Sequence, residues 1–136
     1  MARVVLASWS MGSVEIPEVA RLLIATSIDS VPELEAILLL REHRDHEWTV
    51  EETGQRLYVS RTLAAHILDV LARRGFFMEN AGAYRYVPAT PEIGSAVDVL
   101  ASAYASNLRD VTFLIHSKPS AAVRQFAEAF RIRKDK

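Results

Sequence analysis

Apolar residues recur at helical spacing along most of the chain, and polar capping signals divide this pattern into separate helices. Pro17 opens the first predicted helix, which extends to about Ile28. Ser30 and Glu33 form a capping box, in which a hydroxyl and a carboxylate accept hydrogen bonds from otherwise unpaired backbone N–H groups. The helix that follows runs to about His43, and its predicted core residues are Leu34, Ile37, Leu38 and Leu40.

A second capping box, formed by Thr49 and Glu52, predicts a short helix that ends at about Leu57. After a tight turn, Ser60 caps a longer helix that ends near Arg74. On a helical wheel the apolar residues of this longer helix cover an arc of about 160°; they are Leu63, Ala64, Ile67, Leu68, Val70 and Leu71. Small and polar residues occupy the opposite side, namely Arg61, Thr62, Ala65, His66, Asp69, Ala72 and Arg73. The helix therefore has one face for the core and one outward face.

Two short runs rich in β-forming residues follow, at positions 76–78 and 84–87. Asn80, Ala81 and Gly82 lie between them and are typical of a tight turn. This pattern predicts a small antiparallel hairpin.

Thr90, Pro91 and Glu92 then begin a long helical stretch, with a cap, a proline in the first turn and an acid near the positive end of the helix dipole. We expect one continuous helix from Pro91 to His116; the alternative is a break at Asn107, which would cap a second helix. Seven residues in steps of four and three form a heptad seam, namely Ile93, Val97, Leu100, Tyr104, Asn107, Val111 and Leu114. Because a lone chain would leave part of this seam in water, we predict that it is the interface of a homodimer.

The predicted elements divide the chain into four parts. Residues 1–15 are expected to be poorly ordered, residues 16–29 to form an N-terminal helix, and residues 30–88 to form a helical domain with the hairpin. Residues 89–136 make up a C-terminal helical dimerisation region with a basic tail, whose last amphipathic helix carries Val123, Phe126, Ala127 and Phe130. The expected fold class is mainly α with a small β-hairpin.

Composition excludes several kinds of protein. With 136 residues, of which 50% are hydrophobic and 24% charged, the chain is long enough to fold around its own core. It has no cysteine, which excludes disulfides, thiolate metal sites and cysteine nucleophiles. No apolar run approaches the roughly 20 residues of a membrane span, and residues 1–10, with one arginine and a very short apolar stretch, are too weak a pattern to predict a secretory signal. We therefore expect a cytoplasmic protein with no membrane partner.

Residues 30–88 resemble the winged helix-turn-helix superfamily of DNA-binding domains, in the form found in prokaryotic transcription regulators. The resemblance is carried by Trp48-Thr49-Val50-Glu51-Glu52, by Leu57-Tyr58-Val59-Ser60-Arg61, and by Leu68, Leu71, Gly75, Phe76 and Phe77. It implies that residues 60–74 form the recognition helix, which enters the major groove, and that the hairpin is the wing. The chain departs from the family pattern at Thr53, where leucine is usual, and at Tyr58, where glycine or asparagine is usual. Both departures indicate a modified helix-turn-helix.

The resemblance also implies which residues contact double-stranded DNA. Arg61 is the expected guanine contact, with Ser60, Thr62, Ala65 and His66 beside it on the outward face. Phosphate contacts are expected from helix N-termini and from arginines, namely Thr49, Ser60, Arg56, Arg73 and Arg85. The expected function is that of a sequence-specific, homodimeric transcription regulator.

Charge gives this function little support. The whole chain has a net charge of −1, and residues 49–88 carry five basic and four acidic side chains. The arginines of the outward face can equally be solvated surface residues. A second hypothesis therefore stays open, in which the winged domain docks a partner protein and does not bind DNA. The acidic first third of the chain, with four basic and eight acidic side chains in residues 1–48, favours this alternative.

Catalytic and cofactor signals are weak. Gly75, Gly82 and Gly94 are too scattered for a phosphate-binding loop. His43 and His46 lie in a charged stretch without a third anchored ligand, which is typical of a solvated turn rather than a metal site. We expect no enzyme, no metal and no cofactor. A small-molecule or protein effector stays open, because nothing in the sequence selects one.

Overall fold

The computed structural model describes residues 16–118. This part of the chain is mainly helical, with six helices and one two-stranded antiparallel sheet. The helices are α1 (Glu18–Ser27), α2 (Val31–Glu42), α3 (Val50–Leu57), α4 (Arg61–Arg73), α5 (Pro91–Ser106) and α6 (Leu108–His116), and the strands are β1 (Phe77–Asn80) and β2 (Ala83–Tyr86). The expectations for residues 1–15 and for the final amphipathic helix and basic tail lie outside the described residues.

The capping signals start α3 and α4 where the sequence predicts. The Thr49 hydroxyl accepts a hydrogen bond from the Glu52 backbone N–H at 3.1 Å, and a Glu52 carboxylate oxygen accepts one from the Thr49 N–H at 3.1 Å. The Ser60 hydroxyl accepts from the Leu63 N–H at 3.1 Å. Each of these bonds joins residues only three positions apart, so the local sequence determines where the two helices begin.

In the capping box at α2, only one of the two hydrogen bonds has the partner that a capping box predicts. The Ser30 hydroxyl accepts from the Glu33 N–H at 3.3 Å, as predicted. The Glu33 carboxylate, however, accepts from the Asp29 N–H at 2.8 Å. This carboxylate is buried, and it also takes part in an ion cluster described below.

A left-handed residue makes the turn between α3 and α4. Tyr58 has φ 59° and ψ 43°, and its side chain is almost fully exposed. The Val59 N–H donates to the Gly54 carbonyl at 3.0 Å, which closes the end of α3. A Cβ at Gly54 would lie 3.2 Å from the Val59 carbonyl oxygen, so the glycine lets the two helices approach closely.

The hairpin follows α4 directly. Phe77 pairs with Tyr86 at its open end, and Ala81 and Gly82 form its turn with φ values of 55° and 85°. Positive φ at both central residues is the geometry of the tight turn that matches strand twist. Trp48, which precedes α3, exchanges backbone hydrogen bonds of 2.7 and 2.8 Å with Tyr84 of β2. The hairpin is therefore fastened to the start of α3.

Five of the six helices and both strands contribute buried residues to one apolar cluster, and α3 packs against it through the partly buried Val50 and Leu57. Within α4, Ala64, Ile67, Leu68 and Leu71 are buried. Leu63 is 41% exposed and Val70 is partly exposed, so the buried arc is narrower than the sequence predicts. None of the helices in this part of the chain is both long enough and apolar enough to cross a membrane.

The expected continuous helix from Pro91 to His116 is wrong. The helix breaks at Asn107, which has φ −149° and ψ 57°, and α6 begins at the next residue. The Asn107 side-chain amide donates to the Asp110 carboxylate at 3.0 Å. The break turns α6 back onto α1, so that Val111 and Ile115 reach the core. Asparagine acts here as a helix boundary and not as a polar member of a continuous seam.

The break at Asn107 also changes which surfaces bury the residues of the heptad seam. Val97, Leu100 and Val111 are completely buried within one chain, because α5 and α6 both pack against α1. The other four seam residues are partly buried, namely Ile93, Tyr104, Asn107 and Leu114. A single chain already buries Val97, Leu100 and Val111. These three positions therefore do not need a second chain to cover them. The homodimer itself stays a prediction.

Arg74, immediately after α4, holds three parts of the fold together. Its guanidinium donates to the Ser27 carbonyl at 2.8 Å, to the Glu33 carboxylate at 3.1 Å and to the Asp29 carboxylate at 3.1 Å. These bonds join the end of α4 to the end of α1 and the start of α2. The Glu33 side chain is only 10% exposed, so its charge depends on Arg74 for neutralisation.

Lys118 completes this ion cluster from the end of the described chain. Its ammonium donates to the carbonyls of Ile24 and Ile28 at 2.6 Å each, and to the Asp29 carboxylate at 2.9 Å. A cation beside the last carbonyls of α1 is favoured by the helix dipole. We call Arg74, Asp29, Glu33 and Lys118 the ion cluster.

Candidate nucleic-acid interface

The outward face of α4 is exposed, as the sequence predicts. Ser60, Arg61, Thr62 and His66 are exposed, and Ala65 between them is partly buried. The side chains on this face are small or carry hydrogen-bond donors, which suits close approach to base edges. The face begins just after the turn at Tyr58, which follows the end of α3.

Arg61 is not isolated on this face. Its Nε donates to the Glu51 carboxylate of α3 at 2.7 Å, and both side chains remain more than half exposed. The hydrogen bond from Arg61 is the main reason why the pKa of Glu51 lies below its usual range. The carboxylate therefore stays ionised at neutral pH and offsets the arginine charge.

Arg73 is also neutralised. Its guanidinium lies 2.8 Å from the Asp69 carboxylate, one helical turn earlier on α4. Pairs of this kind on an exposed helix face contribute little to stability. Together with the Glu51 pair, this places an acid against both arginines of the outward face.

Arg85 on β2 differs from these two. It is exposed, and within residues 16–118 it has no ion-pair partner. It lines a groove with a volume of about 280 Å³ at the hairpin, together with Glu47, Met78, Glu79, Asn80 and Ala83. Of the predicted phosphate contacts, Arg85 is the guanidinium most available to an anion.

Arg56 and Thr49 serve local structure. The Arg56 guanidinium lies over the Trp48 ring, 5.3 Å from its centroid, in a cation–π contact. Thr49 is occupied on both sides by its capping box with Glu52. Arg56 therefore packs against Trp48 from α3, and Thr49 has a structural role in capping α3; their expected phosphate contacts stay predictions.

A cavity of about 370 Å³ lies beside Trp48 and is lined by His43, His46, Trp48, Glu52, Gln55 and Arg56. His46 pairs with the Glu52 carboxylate at 3.2 Å, and the His46 ring meets the Trp48 ring edge-on at 4.6 Å. The pKa of Glu52 is lowered, chiefly by the Thr49 backbone N–H. Within residues 16–118, no three histidine or acidic side chains are grouped so as to hold a metal ion.

Glu51 is the residue that the sequence analysis missed. In the sequence, Glu51 stands out only as one member of the Trp48–Glu52 stretch that carries the family resemblance. Its contact with Arg61 depends on how α3 crosses α4, because the partner lies ten residues further along the chain. The spacing of an acid in the first turn of one helix and an arginine in the first turn of the next was the only signal.

These groups offer hydrogen bonding and charge rather than a reaction centre. A guanidinium can donate two parallel hydrogen bonds to guanine or to a phosphate. Exposed hydroxyl and imidazole groups beside it can donate or accept single hydrogen bonds.

No protein-family model matches this chain, and neither a curated protein nor a solved structure matches it.

Proposed function

We propose that residues 30–88 form a winged helix-turn-helix domain that binds double-stranded DNA, and that the protein is a sequence-specific transcription regulator. The observation that supports this proposal most strongly is the outward face of α4. This face is exposed, is made of small and polar side chains, and begins with Arg61. In this assignment α4 enters the major groove and the hairpin is the wing. The order of elements from α2 to β2 is the one that such a domain requires.

Arg85 supports the assignment of the wing. It is an exposed arginine on a hairpin that follows α4 directly and is fastened to the start of α3 through Trp48. A guanidinium in that position suits a contact to the phosphate backbone beside the groove that α4 occupies. The wing would then fix the orientation of the domain, while α4 reads the bases.

The ion pairs of Arg61 and Arg73 determine how tightly we expect the domain to bind DNA. Arg61 and Arg73 each have to exchange a carboxylate partner for a DNA group. Both pairs are exposed, so this exchange costs little, but the nearby acids also repel phosphates. We therefore expect modest non-specific affinity, with the difference between specific and non-specific sites coming from direct base contacts.

The homodimer is part of the proposal. A two-fold pair would place two copies of α4 on successive major grooves of a pseudo-palindromic site. Exposed apolar residues on α1 and α6, Leu22 and Phe113, leave surface for such pairing outside the buried seam positions. Sedimentation velocity of the full chain measures the oligomeric state directly.

Replacing Arg61 with alanine tests the DNA assignment. We expect specific binding to weaken by about 1–3 kcal/mol, which is roughly 5- to 150-fold in Kd, because the guanidinium is the main base-reading group. The measurement is a fluorescence-anisotropy titration of a duplex that the wild-type chain selects from a pool with a randomised central segment. Arg109→Ala is the control, since Arg109 is an exposed arginine on α6. Equal affinity of wild type and Arg61→Ala for the selected duplex would contradict the assignment.

The second candidate function is a winged domain that docks a partner protein. The ion pairs of Arg61 and Arg73, together with the exposed side chains of Tyr58 and Leu63, favour it. Salt dependence separates the two functions. DNA binding through several phosphate contacts weakens steeply between about 50 and 200 mM salt, whereas a protein adaptor shifts no duplex at either concentration.

A further inference from the structure

The contact between Glu51 and Arg61 uses only one edge of the guanidinium. The hydrogen bond is donated by Nε, on the side of the group nearest its own stem. An arginine carries five N–H donors, and four of them belong to the two terminal nitrogens. Within residues 16–118, Nε to Glu51 is the hydrogen bond that Arg61 makes, so the terminal edge points to no other protein group.

That terminal edge is suited to guanine. The O6 and N7 atoms of guanine accept two parallel hydrogen bonds from an arginine in the major groove. A flexible arginine loses side-chain freedom when it makes this contact, and it can equally turn towards a phosphate. A carboxylate that holds Nε removes part of this freedom before DNA arrives, and it also repels phosphate oxygens.

We infer that Glu51 is a positioning residue, which holds Arg61 by Nε so that its terminal edge reads a guanine instead of binding the phosphate backbone. This inference rests on the proposed function. It gives Glu51 two effects of opposite sign. Glu51 lowers the affinity for DNA of any sequence through its charge, and it raises the discrimination between guanine and other bases at one position.

The test replaces Glu51 with glutamine and measures discrimination as well as affinity. The probes are the duplex selected by the wild-type chain, the same duplex with single guanines replaced by 7-deazaguanine, and a duplex of unrelated sequence. The 7-deaza base lacks the N7 acceptor and therefore reports on the second hydrogen bond. Glu92→Gln is the matched control, because Glu92 is also an exposed acid in the first turn of a helix.

For the wild type, we expect about a tenfold loss of affinity when 7-deazaguanine replaces the guanine that Arg61 contacts. In Glu51→Gln this loss should shrink to about twofold, while affinity for the unrelated duplex rises severalfold. Arg61→Ala should show no loss at that guanine, and Glu92→Gln should behave as wild type. Thermal unfolding of the two glutamine variants checks that both remain equally folded.

The possible failures can be told apart. If the wild type selects no duplex, the proposed function fails and the inference fails with it. If the wild type binds DNA but shows no 7-deazaguanine loss at any guanine, Arg61 does not read guanine and only the inference is overturned. If the loss is equal in wild type and Glu51→Gln, Arg61 reads guanine without positioning by Glu51, which also overturns the inference.

Discussion

Replacing Arg74 with alanine is expected to destabilise the fold by about 3–5 kcal/mol. The guanidinium is shared among the Ser27 carbonyl, Glu33 and Asp29, and its removal leaves the Glu33 carboxylate without its cation in a site that is only 10% exposed. An uncompensated buried charge costs far more than the pair contributes when it is intact. Urea unfolding followed by circular dichroism measures the difference.

Arg73→Ala is the control for this prediction. Arg73 is the preceding residue, but within residues 16–118 it pairs only with Asp69, and that ion pair is exposed. Its replacement should change the free energy of unfolding by no more than about 0.5 kcal/mol. Equal stability of the two variants would show that the ion cluster does not hold α1, α2 and α4 together.

Phe76→Ala is expected to have an effect of similar size, about 3–5 kcal/mol. Phe76 is 1% exposed and lies between the end of α4 and the start of the hairpin. Its N–H donates to the Leu71 carbonyl at 3.0 Å, and its carbonyl accepts from Val87 at 3.1 Å, so the backbone cannot move easily to fill the cavity. The loss combines the removed apolar surface with this unfilled space.

Met78→Ala provides the comparison for Phe76. Met78 lies two residues further along on β1 and is 59% exposed. Its truncation should leave the free energy of unfolding within about 0.5 kcal/mol of wild type. A small effect of Phe76→Ala in the same unfolding experiment would mean that the hairpin is not packed through Phe76 on the helices.

The parts of the fold that could be predicted are those fixed by neighbouring residues. The Thr49–Glu52 capping box and the Ser60 cap placed the starts of α3 and α4 correctly, since each bond spans only three residues. The hairpin could be predicted for the same reason, because its turn is formed by the neighbouring residues Ala81 and Gly82. The exposed face of α4 followed from helical periodicity.

The C-terminal region shows why periodicity has limits. A heptad pattern reports that residues are buried, but it does not report which surface buries them. Val97, Leu100 and Val111 are buried, yet by α1 of the same chain after the break at Asn107. Asparagine can be a polar member of such a seam or stand at a helix boundary, and here it stands at the boundary, after which α6 packs against α1.

The electrostatics of the candidate site could not be predicted, because they depend on the angle between helices. Arg61 was expected to contact DNA, but its contact with Glu51 requires α3 and α4 to cross as they do. Lys118 likewise reaches α1 only through the fold, about ninety residues away in sequence. Opposite charges distant in sequence become partners only once the packing has been set.

The central claim is that the outward face of α4 lies in a DNA groove, and site-directed cross-linking tests it most directly. The natural sequence has no cysteine, so a single cysteine can be introduced and coupled to a photoactivated aryl azide. Thr62→Cys places the label on that face, and Ser102→Cys places it at an exposed position on α5. We predict cross-linking to the selected duplex from Thr62→Cys and very little from Ser102→Cys. Cross-linking from Ser102→Cys alone, with both variants bound to the duplex, would contradict the account.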